Sequence, residues 1–381
     1  MLEEKRVPYK VEKINMRCYG EKLKWFQEIN PGGNIPVVQI DDRILAESTA
    51  ILYAIEETFP EYKTMMPKEG PHAERVHELV ELERALFNHW MKWLVTETTY
   101  GDDMMQSFET LLSCVDSRLK ESSEIEGGGG FFLGSEVSMV DCMFAPFLER
   151  MAASVPYYKG LPVRGNPKWP FLQIWFARME TLESYPGIAS DYYTHCHDLP
   201  PQIGGCESHA EAAGFQAAID GTDGVHWALP LPDTTKEHLL QGYLPVLKPD
   251  DAARREAAAR VIENSEALVS YCLRALGAPG PYMASQLSDP GNCPDTRFAK
   301  HIDSALRHVV AALLSPQGLQ ADIVRQKERE REGIAHSLLP KYAVGGGLAY
   351  LRERISVPRD MSWAAARQLR AHLTAVMRAL S

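Results

Sequence analysis

The protein has 381 residues, of which 45% are hydrophobic and 24% charged, and its formal net charge is −11. A chain of this length and ordinary composition is expected to form two or three domains, each with its own hydrophobic core. The acidic balance argues against a nucleic-acid-binding protein. No run of about 18 apolar residues occurs, so the sequence predicts no membrane span.

The chain begins with elements typical of a small α/β domain. Residues 2–6 have the pattern of the end of a helix. Residues 9–14 alternate between polar and less polar side chains, which predicts a strand. Residues 21–29 are predicted to be helical. The run Asn30-Pro-Gly-Gly33 is predicted to be a loop, because a proline and two glycines end a helix.

Two short strands and a helix are predicted next. The strands cover residues 37–40 and 43–45 and are joined by a tight turn, and the helix covers residues 48–58. Ser48 is the predicted N-cap, and Glu47 places negative charge at the positive end of the helix dipole. Exposed backbone before a strand and polar groups at a helix N-terminus can together hold a small peptide-like anion.

The rest of the chain is predicted to be helical. Apolar residues recur at helical spacing from residue 72 onward. The helices predicted after residue 100 cover 103–122, 139–153, 169–182, 251–276, 296–314, 342–355 and 362–380. Ser138-x-x-Asp141 has the pattern of a capping box. We interpret Ser138 and Asp141 as structural residues that fix the start of the helix at residue 139.

Seven cysteines are scattered along the chain, with no Cys-x-x-Cys pair and no zinc-ligand spacing. We therefore predict no metal site. An odd number of cysteines suits a reducing compartment, so the sequence predicts a cytoplasmic protein.

Two motifs resemble one known family. Ile35-Pro36-Val37 and Glu47-Ser48 occur in the order, and at about the separation, found in the glutathione transferase superfamily. The resemblance covers about residues 1–200. Within the superfamily, residues 17–25 look closest to the omega- and lambda-like, cysteine-type classes.

The resemblance implies a fold with an α/β part and an all-α part. Residues 1–67 would form an incomplete thioredoxin-like domain that binds glutathione. Residues 72–205 would form the family's all-helical C-terminal domain. Residues 225–381 would be a further helical extension, which is not part of the usual layout of the family.

Carried over position by position, the resemblance implies a glutathione-binding site. Pro36 would follow a cis peptide bond and turn the backbone N–H and C=O of Val37 toward the cysteinyl part of glutathione. Glu47 would accept from the ammonium of the γ-glutamyl end, and Ser48 would donate to its carboxylate. Lys22 would meet the glycine carboxylate.

Each of these assignments has a structural alternative. Pro36 could be an ordinary trans proline at the entry of a strand. Glu47 and Ser48 could serve only to cap a helix. Lys22 could be a solvated lysine on a helix surface.

The sequence departs from the family where the catalytic residue is expected. The family's catalytic cysteine, serine or tyrosine follows its first strand, and no residue here matches it. Met1 falls partway along the family's first helix, so the first strand is expected to be missing, through an incomplete start or replacement by another segment. Cys18 is the nearest cysteine, but it follows the second strand and cannot be matched to the nucleophile. The catalytic residue is left unassigned.

The resemblance implies glutathione as cosubstrate and an unknown electrophile or disulfide as second substrate. The expected function is glutathione-dependent thiol transfer, reduction or conjugation. If the segment that carries the nucleophile is absent, the protein is expected to be inactive. One alternative is a non-catalytic transferase-fold scaffold whose extension, residues 225–381, forms a homodimer or recruits a protein partner. A carrier of hydrophobic ligands is a third. A plastid is the alternative to the cytoplasm.

Overall fold

The computed structural model describes most of the chain. The described residues are 1–14, 22–67, 69–124, 128–232, 250–280, 289, 291–315 and 338–380. No helix within these ranges combines the length and the apolar composition that crossing a bilayer requires.

Helices dominate, and two short strands lie near the start. In chain order the elements are α1 (Leu2–Lys5), α2 (Lys24–Ile29), β1 (Val37–Ile40), β2 (Arg43–Ala46), α3 (Ser48–Thr58), α4 (Pro71–Val95), α5 (Asp103–Glu124), α6 (Met139–Lys159), α7 (Pro170–Glu180), α8 (Tyr192–Ile203), a 3₁₀ turn (Ala210–Ala212), α9 (Ala213–Ile219), α10 (Asp250–Glu263), α11 (Ser265–Arg274), a 3₁₀ turn (Thr296–Phe298), α12 (Ala299–Leu314), α13 (Leu338–Arg352) and α14 (Trp363–Leu380). The predicted fold class, a small α/β part followed by helices, is confirmed.

Contacts between Cα atoms group the chain into two compact units. The first comprises Met1–Ile188 and Leu199–Phe215. The second comprises Ala189–Asp198 and the described residues within Gln216–His238 and Val246–Ser381. The domain boundaries predicted from the sequence, at 1–67, 72–205 and 225–381, stay a prediction.

The two strands of the first unit form an antiparallel hairpin. Val37 pairs with Ala46, and Ile40 pairs with Arg43 across a two-residue turn. Asp41 has a φ of 52° in that turn, a left-handed conformation that aspartate tolerates better than most residues. Helix α3 packs on both strands and buries Ile51 and other apolar residues of one face. The predicted strands and the helix over 48–58 are confirmed.

The predicted strand over residues 9–14 is wrong. These residues form no strand, and no described residue pairs with their backbone. Tyr9 and Val11, two of the less polar residues of this segment, are 49% and 64% exposed. Alternation alone does not stabilise a strand, because its backbone groups need a neighbouring ladder.

Helices α4 to α7 build the main core of the first unit. Helix α4 packs against α5 and α6, and α5 packs against α7. The core is rich in large aromatic side chains that are at most 1% exposed: Trp90, Trp93, Phe108, Phe132, Phe144, Trp169, Trp175 and Phe176. Helix α6 runs six residues past its predicted end at 153, with Pro146 and Pro156 inside it.

The predicted capping box of α6 is present. Ser138 is the N-cap, and the backbone N–H of Asp141 donates to its hydroxyl oxygen at 3.4 Å. The Asp141 carboxylate accepts from the backbone N–H and the hydroxyl of Ser138, at 2.8 and 2.6 Å. It also accepts from the Phe132 backbone N–H at 3.0 Å and from Trp175 Nε1 at 2.8 Å. Asp141 is fully buried, so these donors replace the water it has lost.

Helices α10 to α14 form the core of the second unit. Helix α14 packs against α10, α12 and α13 and buries Ala366, Leu369, Leu373 and Val376. The residues of this core include Ala257, Val261, Leu273, Ile302, Leu306, Val309, Leu348, Leu369 and Leu373. The helix predicted over 251–276 is two helices, which meet at Asn264.

Candidate functional site

The register of the hairpin places two of the predicted site elements side by side. Val37, the first residue of β1, lies opposite Ala46, the last residue of β2. Helix α3 begins two residues after Ala46, at Ser48. The start of β1 and the N-terminus of α3 are therefore neighbours in space, with Glu47 between the hairpin and the helix.

The chain enters β1 through a fixed loop. The Ile35–Pro36 peptide bond is cis, as the resemblance implies. Before it, the backbone N–H of Gly33 donates to the carbonyl of Asn30 at 2.9 Å. The side-chain amide of Asn30 donates to the carbonyl of Asn34 at 2.6 Å. These bonds tie the two ends of the loop together just before Pro36.

Glu47 has a strained backbone. Its φ is 69° and its ψ is 113°, a region that residues with a Cβ rarely adopt. Such a conformation costs on the order of 1–3 kcal/mol and is concentrated at functional sites. Glu47 occupies the N-cap position, and its carbonyl accepts from the Ile51 N–H at 3.0 Å. Its side chain makes no capping hydrogen bond and is exposed to solvent.

Ser48 was predicted to be the N-cap of α3, but it is the first residue of the helix, and Glu47 is the N-cap. The carbonyl of residue 47 already accepts the first helical bond, which makes Glu47 the cap. The Ser48 side chain is exposed. The first N–H groups of a helix have no acceptor within it, and they carry the positive end of the helix dipole. This end of α3 can therefore receive a carboxylate.

Lys22 lies against the entry loop. Its ammonium donates to the carbonyl of Gly33, whose φ of 66° favours glycine. A Cβ added at Gly33 would lie 3.3 Å from Lys22 Nζ, so glycine also gives the lysine its space. No hydrogen bond or ion pair joins Lys22 to Glu47 or Ser48 in the described part of the chain. The structure thus brings Val37, Glu47 and Ser48 together and places Lys22 beside the loop that precedes them.

Three of the described cysteines have a raised pKa, which makes their thiols less reactive. Burial raises the pKa of the Cys142 thiol. It raises the pKa of Cys206 to about 11 and that of Cys272 to about 12. A nucleophilic cysteine needs a lowered pKa. Cys18, the cysteine nearest to the expected position, lies outside the described residues.

No three His, Cys, Asp or Glu side chains within the described ranges group closely enough to hold a metal ion. The chemistry that the site offers is polar recognition. It combines a strand-edge amide and carbonyl, an exposed carboxylate and a helix N-terminus.

Two features of the site were not predicted from the sequence. The strain at Glu47 has no sequence signal, because a positive φ is recognised in advance only where glycine, asparagine or aspartate occurs. The two adjacent glycines of the loop weakly predict that a side chain can approach its backbone closely, and Lys22 makes this contact at Gly33.

Two family matches were found, and both lie within the first unit. The family described as "Glutathione S-transferase, N-terminal domain" matches residues 1–58, and "Glutathione S-transferase, C-terminal domain" matches residues 78–178. Glutathione S-transferase DHAR2 of Arabidopsis thaliana is 28% identical over 162 residues, 42% of this chain and 68% of that protein. Its relative DHAR3, named chloroplastic, is 26% identical over 50% of this chain and 66% of that protein. Probable maleylacetoacetate isomerase 2 of Drosophila melanogaster is 27% identical over 52% of this chain and 83% of that protein.

The chain spans about two thirds of the length of the two Arabidopsis relatives. The family matches end at residue 178, so the helices α8 to α14 lie beyond them.

Proposed function

The chain belongs to the glutathione transferase superfamily, and we propose on this basis that it binds glutathione and uses it as a cosubstrate in thiol transfer, reduction or conjugation. The observation that carries the proposal is the pairing of Val37 with Ala46. It sets a strand-edge backbone beside a helix N-terminus whose polar groups are exposed.

Each part of the tripeptide has a complementary group. The N–H and C=O of Val37 pair with the cysteinyl backbone as a neighbouring strand would. The Ser48 hydroxyl and the first N–H groups of α3 bind the γ-glutamyl carboxylate. The Glu47 carboxylate accepts from the adjacent ammonium.

Lys22 binds the glycine carboxylate. An ammonium has three N–H donors, and one of them is used by the Gly33 carbonyl. The two others remain for a ligand that lies along the entry loop. Because Gly33 holds the lysine in place, little side-chain entropy is lost when glutathione binds.

The second substrate is an electrophile or a disulfide. The relatives include transferases and an isomerase, so they support a broad class of second substrate and no single compound. The attacking group is then the glutathione thiol or a protein thiol, and the protein thiol is left unassigned.

A second candidate function is a non-catalytic scaffold with the transferase fold. The observation that favours it is the set of helices α8 to α14, which lie beyond the family matches that end at residue 178. In this alternative the helices after residue 225 hold a second copy of the chain or another protein. Light scattering on the purified protein tests the homodimer.

Retention and turnover separate the two functions. The full chain is passed over immobilised glutathione and assayed with 1-chloro-2,4-dinitrobenzene, hydroxyethyl disulfide and dehydroascorbate. Retention with turnover of any of these supports the enzyme, and retention without turnover supports the scaffold. A protein that is folded but neither retained nor active contradicts the proposed function.

We propose that the protein acts in the cytoplasm, and the plastid is the alternative suggested by a relative named chloroplastic. A fluorescent fusion of the full-length gene product, imaged in cells, distinguishes the two compartments.

A further inference from the structure

A cavity of about 330 Å³ lies in the second unit, outside the family matches. Three separate segments line it: the start of α8, the loop after α9 and the end of α13. Their side chains include Tyr193, His197, Asp220, Arg352, Glu353 and Arg354. The volume is at the lower end of the range of small-molecule sites, about 300–1,000 Å³. Five of these six side chains are histidine, aspartate, glutamate or arginine, whereas an empty packing defect is typically lined by apolar groups.

Both arginines are held in position before any ligand binds. The Arg354 guanidinium lies 3.7 Å from the centre of the Tyr350 ring, and that of Arg352 lies 5.3 Å from the centre of the Trp227 ring. Arg354 Nη2 also donates to Asp289 at 3.3 Å. A guanidinium stacked on a ring keeps its edge available for in-plane hydrogen bonds. Little rotamer entropy is then lost on binding.

The arginines retain unused donors. Arg352 donates to the Thr374 hydroxyl at 3.2 Å and to Glu353 Oε1 at 3.1 Å, and its Nε is buried. A guanidinium has five N–H groups, so two of its terminal N–H groups have no acceptor among the described residues. Arg354 donates from Nη1 to the Tyr350 carbonyl and from Nη2 to Asp289. Two of its terminal N–H groups likewise have no acceptor among the described residues.

Both carboxylates that line the cavity already have partners. Asp220 Oδ1 lies 2.9 Å from His197 Nε2, and the His197 ring lies 4.2 Å from that of Tyr193. Glu353 is shared by Arg352, at 3.1 Å, and Arg354, at 4.0 Å. One carboxylate therefore serves two guanidinium groups, and an incoming anion would compete with it.

We propose that this cavity binds a small molecule through a carboxylate or phosphate group, held between Arg352 and Arg354. Planar guanidinium forks match both kinds of oxyanion in a bidentate manner. The rings of Tyr193 and His197, which lie 4.2 Å apart, form a wall of the cavity beside the rest of the ligand.

Calorimetry on the full chain tests the site with two probes, inorganic phosphate and malonate. We expect saturable binding of one of them, and the probe that binds identifies the oxyanion. Arg352→Gln should weaken this binding at least tenfold. Arg255→Gln is the matched control, because Arg255 lies on α10 with a side chain 70% exposed and is not part of the cavity. The control should bind as the unchanged protein does.

Glu353→Gln should act in the opposite direction and tighten binding about threefold, because it removes the carboxylate that competes for both arginines. If Arg352→Gln does not fold, Arg352→Lys replaces it, since lysine keeps the charge but lacks the fork, and weaker binding is again expected. The proposal is overturned if neither probe saturates up to tens of millimolar. It is also overturned if the folded Arg352 variant binds as tightly as the control.

Discussion

Val37 lies opposite Ala46 in the antiparallel hairpin, so the strand that follows Pro36 starts beside the N-terminus of α3. This one pairing joins two motifs that are ten residues apart in the sequence. If the register slipped by one residue, every side chain of β1 would turn to the other face. The polar groups at Glu47 and Ser48 would then no longer flank the Val37 backbone.

Glu47→Gly should separate stability from binding. Glycine adopts a φ of 69° without steric cost, so we expect the free energy of unfolding to rise by about 1 kcal/mol while glutathione binding is lost with the carboxylate. Urea denaturation and calorimetry measure the two effects. Asp41→Gly is the control: its φ is 52°, it lies in the turn, and it should keep glutathione binding. Normal glutathione binding by the Glu47→Gly variant would argue against a role for the carboxylate.

Asp141→Ala should strongly destabilise the protein. It leaves the buried donors of Phe132, Ser138 and Trp175 without an acceptor, at about 1–3 kcal/mol for each group. We expect a total loss of at least about 3 kcal/mol in urea denaturation. Asp103→Ala, in the exposed first turn of α5, should cost about 0.5 kcal/mol. Similar losses in both variants would show that the capping box of α6 is dispensable.

Lys5→Met should expose the cost of an unpaired buried charge. Lys5 Nζ lies 2.9 Å from Glu56 Oε2, and the two side chains are 0% and 3% exposed. Breaking such a pair costs about 3–5 kcal/mol, because the remaining carboxylate is left in a poorly solvated site. Lys10→Met is the control, since Lys10 is 85% exposed and its replacement should leave the unfolding midpoint almost unchanged. Equal unfolding midpoints for the two variants would contradict this account.

Glu83 should make stability depend on pH. Burial raises its pKa from the ordinary 4.5 to about 7. Between these values the folded state holds a proton that the unfolded state has released, so the contribution of Glu83 to stability falls as pH rises. Glu83→Gln removes this loss and should stabilise the protein more at pH 8 than at pH 5, as measured by urea midpoints. Glu28→Gln, at an exposed position of α2, should show no such difference. A gain at pH 5 equal to that at pH 8 would mean that Glu83 does not titrate in this range.

The sequence was informative where local chemistry decides the structure. The hairpin and α3 follow from alternating apolar residues and a turn, and the capping box follows from the spacing of Ser138 and Asp141. The predicted strand at 9–14 failed because a strand depends on a neighbour that alternation does not reveal. Helix α8 was not among the predicted helices, and its last four residues include Pro200 and Pro201, which are disfavoured inside a helix.

The arrangement of side chains from distant segments could not be predicted. The second-unit cavity combines His197 and Asp220 with Arg352 and Arg354, more than 130 residues later. No local pattern connects such residues, because only the tertiary packing of the second unit brings them together. The same reason explains why the pairing of Lys5 with Glu56 has no signal in the sequence.

The central claim is that Val37, Glu47 and Ser48 form one glutathione site. Calorimetry with glutathione on Glu47→Gln, Ser48→Ala and the double variant tests it most directly. We predict that each single change weakens binding at least tenfold, and that the double variant loses less than the sum of the two because both groups hold the same γ-glutamyl end. Glu57→Gln and Thr58→Ala, at the other end of α3, should bind as the unchanged protein does. Equal affinity for glutathione in all of these proteins would contradict the claim.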